Sequence, residues 1–87
     1  MVDYSLSIKP SAAKELQALS DKSTLKRLIE KIKTLATRPR PLGAEKLAGR
    51  PRLYRVRQGN YRVIYSVDDE TRVVVVVKVG HRRDVYK

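Results

Sequence analysis

The second half of the chain holds three runs rich in β-branched and aromatic residues, at 53–57, 61–67 and 72–79. Only Gly59-Asn60 and Asp68-Asp69-Glu70-Thr71 separate them. Separators this short read as hairpin turns, so the three runs are expected to be neighbours in an antiparallel sheet. Gly and Asn tolerate the positive φ of a tight turn, and the acidic cluster is expected to stay hydrated at the second one. The valines at 73–77 form the longest apolar run, far short of the roughly 20 residues of a membrane-spanning helix, and read as a buried strand.

The first half switches period. Tyr4, Leu6 and Ile8 alternate with polar residues in the pattern of a half-buried strand, which Pro10 ends. Ser11 is placed to cap a first helix whose apolar face is Ala12, Leu16 and Leu19, with an end expected near Asp21. From Thr24 a second helix is expected, with Leu25, Leu28, Ile29, Ile32 and Leu35 on one side and Lys26, Arg27, Glu30, Lys31 and Lys33 on the other. Pro39 and Pro41 cannot continue it, so a loop should run to about Pro51. The order is βααβββ. This predicts an α+β fold, an antiparallel sheet with a helical hairpin packed on one face.

At 87 residues the chain is expected to be one domain, 1–87, with one modest core and no disulfides, since it contains no cysteine. Its opening MVDYSLSIKP carries an acid and lacks a continuous apolar stretch, so neither a secretory signal nor a membrane partner is expected and the expected location is cytoplasmic. The net charge of +11 is concentrated: residues 38–65 hold eight basic side chains and one acidic one. A basic stretch of this kind attracts phosphate backbones and releases their counterions, which favours nucleic acid or the ribosome as partner. The competing readings are a merely soluble basic surface and one neutralised by an acidic protein.

If Gly59-Asn60 is a two-residue loop, Arg57 pairs with Arg62 and Arg55 with Ile64, so Arg55, Arg57 and Arg62 share one face. Tyr54, Val56, Tyr61, Val63 and Tyr65 then face the helices. Arginines grouped with no interleaved carboxylate repel one another and call for an anion, for which phosphate fits the planar guanidinium fork. The ending GHRRDVYK adds His81, the chain's one histidine and so its one side chain of a type with an unperturbed pKa near neutrality, with Arg82, Arg83 and Tyr86, whose ring can stack on a base. Taken singly, a lone His is more often structural and a penultimate Tyr more often packs. The consecutive acids at 68–70 point in different directions, so no metal is expected there, and no phosphate-binding glycine loop or nucleophile triad is present.

Over nearly its whole length, through LGAEKLAGRPRLYRVRQGNYRVIYSVDDE and VVVVVKVGHRRDVYK, the chain resembles the RelE/ParE toxin superfamily. The resemblance implies a microbial RNase-like fold, cleavage of messenger RNA in the ribosomal A site, and a cognate antitoxin protein. It also implies roles: Arg55 and Arg57 stand where the RelE branch commonly has RNA-binding lysines, and Arg62, Arg82 and Tyr86 match its arginines and terminal tyrosine. Arginine at both early positions keeps the charge but removes a lysine base. The tail is shorter than in some relatives, so either Arg82 or Arg83 is the phosphate contact.

The expected chemistry needs no metal and no cofactor. The ribose 2′-OH attacks the adjacent phosphate, leaving a 2′,3′-cyclic phosphate and a 5′-OH. Arg62 and Arg82 stabilise the phosphorane, Arg55, Arg57 and Arg83 hold RNA, and His81 and Tyr86 serve as base and acid in either order. The alternatives are a ParE-like inhibitor of DNA gyrase without nuclease activity, and a plain nucleic-acid-binding module that leaves its substrate intact.

Overall fold

A computed structural model describes residues 3–81. Strand β1 spans Ser5–Ile8, helix α1 Pro10–Gln17, helix α2 Lys22–Thr34, and strands β2 to β5 span Glu45–Lys46, Leu53–Gln58, Tyr61–Asp68 and Val73–His81. They build one sheet in the order β1-β5-β4-β3-β2, with both helices contributing to a core on one face. The two-layer α+β arrangement is the one the sequence predicts. Two details differ. The sheet is mixed, because β1 pairs parallel with β5, from Ser5 opposite Val73 to Ile8 opposite Val76. β1 reaches the sheet through the helices rather than through a hairpin, and such a crossover permits a parallel neighbour. The second difference is β2, two residues paired antiparallel to β3, too short to leave a period in the sequence.

Helix boundaries follow local chemistry. α1 starts at Pro10, whose fixed φ suits the first helical position, with Lys9 as an N-cap whose side chain makes no capping bond. Ser11 therefore lies inside the first turn and does not cap, contrary to expectation. α1 also ends at Gln17, short of Asp21, because Asp21 belongs to the next element. Its Oδ1 accepts the Ser23 N–H at 3.0 Å and its Oδ2 the Thr24 hydroxyl at 2.7 Å, so α2 begins at Lys22. The Thr24 hydroxyl and the backbone N–H groups of Ser23 and Thr24 hold the Asp21 carboxyl below its usual pKa.

Ala12 and Leu16 of α1, with Leu28, Ile32 and Leu35 of the second helical segment, pack on Val56, Val63, Tyr65, Val67, Val74, Val76 and Val79. Each fully buried Val, Leu or Ile among them contributes about 1.5–3 kcal/mol before ordering entropy is subtracted. Ile29, expected in the stripe, sits exposed at its rim. A register shift at Ile64/Tyr65 places Lys78 opposite Ile64 but Val76 opposite Tyr65, leaving Val77 as the extra residue of a bulge. The bulge changes the phase of β5, so Val74, Val76 and Val79 all point into the core.

β1 stops pairing at Val76, and the β5 edge beyond it is closed by a side chain. Glu15 of α1 accepts the Val79 N–H at 3.0 Å through Oε1 and the Lys78 ammonium at 2.9 Å through Oε2. The loop after α2 is held by aromatic residues. The Tyr65 hydroxyl donates to the Pro39 carbonyl at 2.7 Å, Tyr65 stacks on Tyr54 at 5.9 Å, and Arg40 lies over the Tyr54 ring at 5.7 Å. Burial pushes the Tyr65 pKa up to about 12.

The acidic turn is more than hydrated. Asp69 pairs with Arg40 at 2.8 Å and accepts the Tyr4 hydroxyl at 2.6 Å, while Asp68 accepts the N–H groups of Glu70 and Thr71 and pairs with Arg52 at 3.5 Å. These contacts lower both carboxyl pKa values: the Arg40 guanidinium is the main cause at Asp69, the Thr71 N–H at Asp68. Among the described residues no helix is long and apolar enough to cross a membrane, and no group of three potential ligands could hold a metal ion.

Candidate nucleic-acid interface

The β3–β4 hairpin has the register expected from Gly59-Asn60: Gln58 faces Tyr61, Arg57 faces Arg62 and Arg55 faces Ile64. Gly59 has a φ of +61°, the left-handed conformation this turn requires. Residues directly opposite each other share a face, so Arg55, Arg57 and Arg62 lie together on the side of the sheet away from the helical core. The helices cover Val56, Val63 and Tyr65 on the other side.

The three arginines are held differently. Arg62 is 8% exposed, the only charged residue buried among the described residues. A guanidinium withdrawn from water in this way acts through a lower effective dielectric than one at the surface, which strengthens its pull on a developing negative charge. The Arg55 side chain is 15% exposed, and its Nη2 meets Glu45 Oε2 at 2.8 Å. Arg57 is 59% exposed and stands 3.8 Å from Glu45 Oε1.

Glu45 is the residue sequence reasoning missed. The arginine face does contain a carboxylate, brought in by β2, where Glu45 lies opposite Arg55. A two-residue strand shows no alternation, so its pairing was invisible. One signal was available, since Glu45 is the sole acidic residue among positions 38–65. Beside it a hollow of about 300 Å³ is lined by Lys31, Leu42, Gly43, Glu45, Val56 and Arg57.

His81 ends β5 opposite Tyr61, with its ring edge-on to that tyrosine at 5.5 Å, while Gly80 stands opposite Arg62. Tyr61 packs against the core, so His81 is on the helix side of the sheet and is not brought together with the arginines. It could meet a ligand of the arginine face only around the sheet's end. Arg82, Arg83 and Tyr86 lie outside the described residues. The geometry therefore unites Arg55, Arg57 and Arg62, adds Glu45, and separates His81. Such a surface can hold a phosphate backbone and stabilise added negative charge on it.

Comparison with known proteins gives a ParE family model and RelE relatives. The sequence model of the family described as ParE toxin of type II toxin-antitoxin system, parDE, matches residues 6–86. A putative toxin RelE1 of Methanocaldococcus jannaschii is 34% identical over 87 residues, covering 97% of this chain and 96% of the relative. Among solved structures, the archaeal RelE–RelB complex from Pyrococcus horikoshii matches with a TM-score of 0.81 at 34% identity, over 94% of this chain and 98% of that one. The intact RelBE toxin–antitoxin complex of Escherichia coli matches with a TM-score of 0.75 at 32% identity, over 90% and 95% of the two chains.

Proposed function

Because this chain belongs to the RelE/ParE superfamily of type II toxin–antitoxin toxins, we propose that it acts as a RelE-type endoribonuclease, cutting messenger RNA in the ribosomal A site. The observation that carries this reading is the arginine face: Arg62 buried, with Arg57 opposite it and exposed to solvent. In the proposed step the 2′-oxygen forms a bond to phosphorus while the bond from phosphorus to the 5′-oxygen breaks. The 2′-OH proton passes to a base, and an acid protonates the leaving 5′-oxygen. Arg62 neutralises charge on the phosphorane, with Arg82 or Arg83 as second cation, and Arg57 and Arg55 keep the backbone in register. Tyr86 and His81 are the proposed proton carriers, His81 acting from the sheet's end. Orienting the 2′-OH for in-line attack itself contributes several kcal/mol, roughly, to the lowered barrier.

The relatives' complexes with RelB support a cognate antitoxin as protein partner for this chain. A second reading, inhibition of DNA gyrase without cleavage, is favoured by the matching family's ParE description. Inducing the chain in a bacterium separates the two readings. Primer extension should find new messenger 5′ ends inside translated codons while plasmid supercoiling stays normal. Intact messages with arrested supercoiling would select the gyrase reading.

A further inference from the structure

Glu45, on the edge strand β2, is the carboxylate beside the arginine face, and it does two different things there. Its Oε2 is in direct contact with the largely covered guanidinium of Arg55 at 2.8 Å, a charge-assisted bond that fixes that side chain. Its Oε1 stands 3.8 Å from Arg57, which is largely in solvent and lines the 300 Å³ hollow with Lys31. The first contact is short and shielded; the second is long, exposed and weak. An anion arriving from solvent meets Arg57 and Lys31 first, and at Arg57 it meets a carboxylate already in place.

We propose that Glu45 is a positioning residue and a resident competing anion: it holds Arg55 throughout, and an RNA phosphate displaces it from Arg57 on binding. The proposal rests on the nucleic-acid reading of this face and refines it. Arg55 becomes a support rather than a phosphate ligand, and Arg57, with Lys31 behind it, becomes the point where the backbone enters. Glu45 also lowers the affinity of the face for any phosphate that cannot displace it, so weakly held polyanions are rejected.

The full chain and its Glu45→Gln, Arg57→Ala and doubly substituted forms are titrated against a fluorescent single-stranded RNA made uncleavable by 2′-O-methylation, at about 100 mM salt. One unit charge near contact distance in near-bulk dielectric is worth about five-fold in an equilibrium constant, so Glu45→Gln should tighten binding about five-fold. The gain should vanish when Arg57 is also Ala. Cleavage on ribosomes should show the opposite sign in kcat, because Arg55 loses its charge-assisted bond to Glu45 and is positioned less firmly, with KM lowered. A structural role alone would lower the melting temperature without tightening binding.

Unchanged or weakened binding by a folded Glu45→Gln chain overturns the proposal while leaving the nucleic-acid reading intact. A wild-type chain that binds no RNA even at about 50 mM salt overturns both. Should the variant not fold, the wild type answers: on RNA addition the Arg57 side-chain N–H signal and the Glu45 carboxyl carbon should shift while Arg55 keeps its signal. A Glu45 carboxyl that does not respond overturns the proposal.

Discussion

Replacing Tyr65 by Phe removes one hydroxyl from the core and tests how the loop after α2 is tied to the sheet. The ring is fully buried, and its hydroxyl donates to the Pro39 carbonyl at 2.7 Å. Phe fills the same space, so the cost at neutral pH is the lost hydrogen bond, about 1 kcal/mol, or about 4–8 °C in melting temperature for a domain of this size. Alkaline pH reverses the sign. The folded-state pKa is raised to about 12 from an ordinary 10.0, because burial disfavours the phenolate. A raised pKa means that the native state holds its proton longer than the unfolded chain does. The associated stability is present below pH 10 and is lost as pH rises towards 12, up to about 2.7 kcal/mol. The wild type should therefore lose its advantage over Tyr65→Phe and become the less stable of the two above about pH 11. Urea unfolding of both chains across pH 7 to 11.5 measures the gap directly. A gap independent of pH would refute the argument, since it would mean that Tyr65 ionises as easily folded as unfolded.

Glu15→Ala leaves the Val79 N–H without its acceptor at the edge of β5 and should cost about 1–3 kcal/mol in urea unfolding, with Glu15→Gln recovering part of it. At the acid end the sign is the reverse of that for Tyr65. The Asp21, Asp68 and Asp69 carboxyls are all held below their ordinary pKa, so their stabilisation is present above about pH 4 and fades as pH falls through the folded values. Asp69→Asn should flatten that limb of the stability profile. Arg62→Ala should reduce cleavage by at least about 100-fold while circular dichroism reports an unchanged fold, and loss of the fold would reassign Arg62 to structure. Binding to uncleavable RNA should weaken with salt at a log–log slope between about −2 and −3, as three or four phosphate contacts on a single strand require, and a slope near zero would contradict a phosphate-reading surface.

What could be read in advance was what local chemistry decides. Gly59-Asn60 set the hairpin register, and through it the face shared by Arg55, Arg57 and Arg62; the spacing of Leu28, Ile32 and Leu35 marked the buried side of the second helical segment. The partnership of β1 was hidden because no hairpin ties it to a neighbour, and β2 because two residues carry no period. The helix boundaries were displaced by two to four residues, since Pro10 starts α1 behind an N-cap at Lys9, which has no side-chain capping signal, and Asp21, read as the end of the first helix, caps the second. His81 stands beside the arginines in sequence, but strand alternation sends it to the opposite side from Gly80 and Arg62. Glu45 reached the arginine face through β2 alone.

The nuclease reading meets its most direct test in a defined translating ribosome with one programmed message and the purified chain. Sequencing both sides of any break should find cuts within the A-site codon, a 2′,3′-cyclic phosphate upstream and a 5′-OH downstream, all absent with Arg62→Ala. A message that stays whole on the ribosome, at concentrations of the same chain that stop purified gyrase, would contradict it.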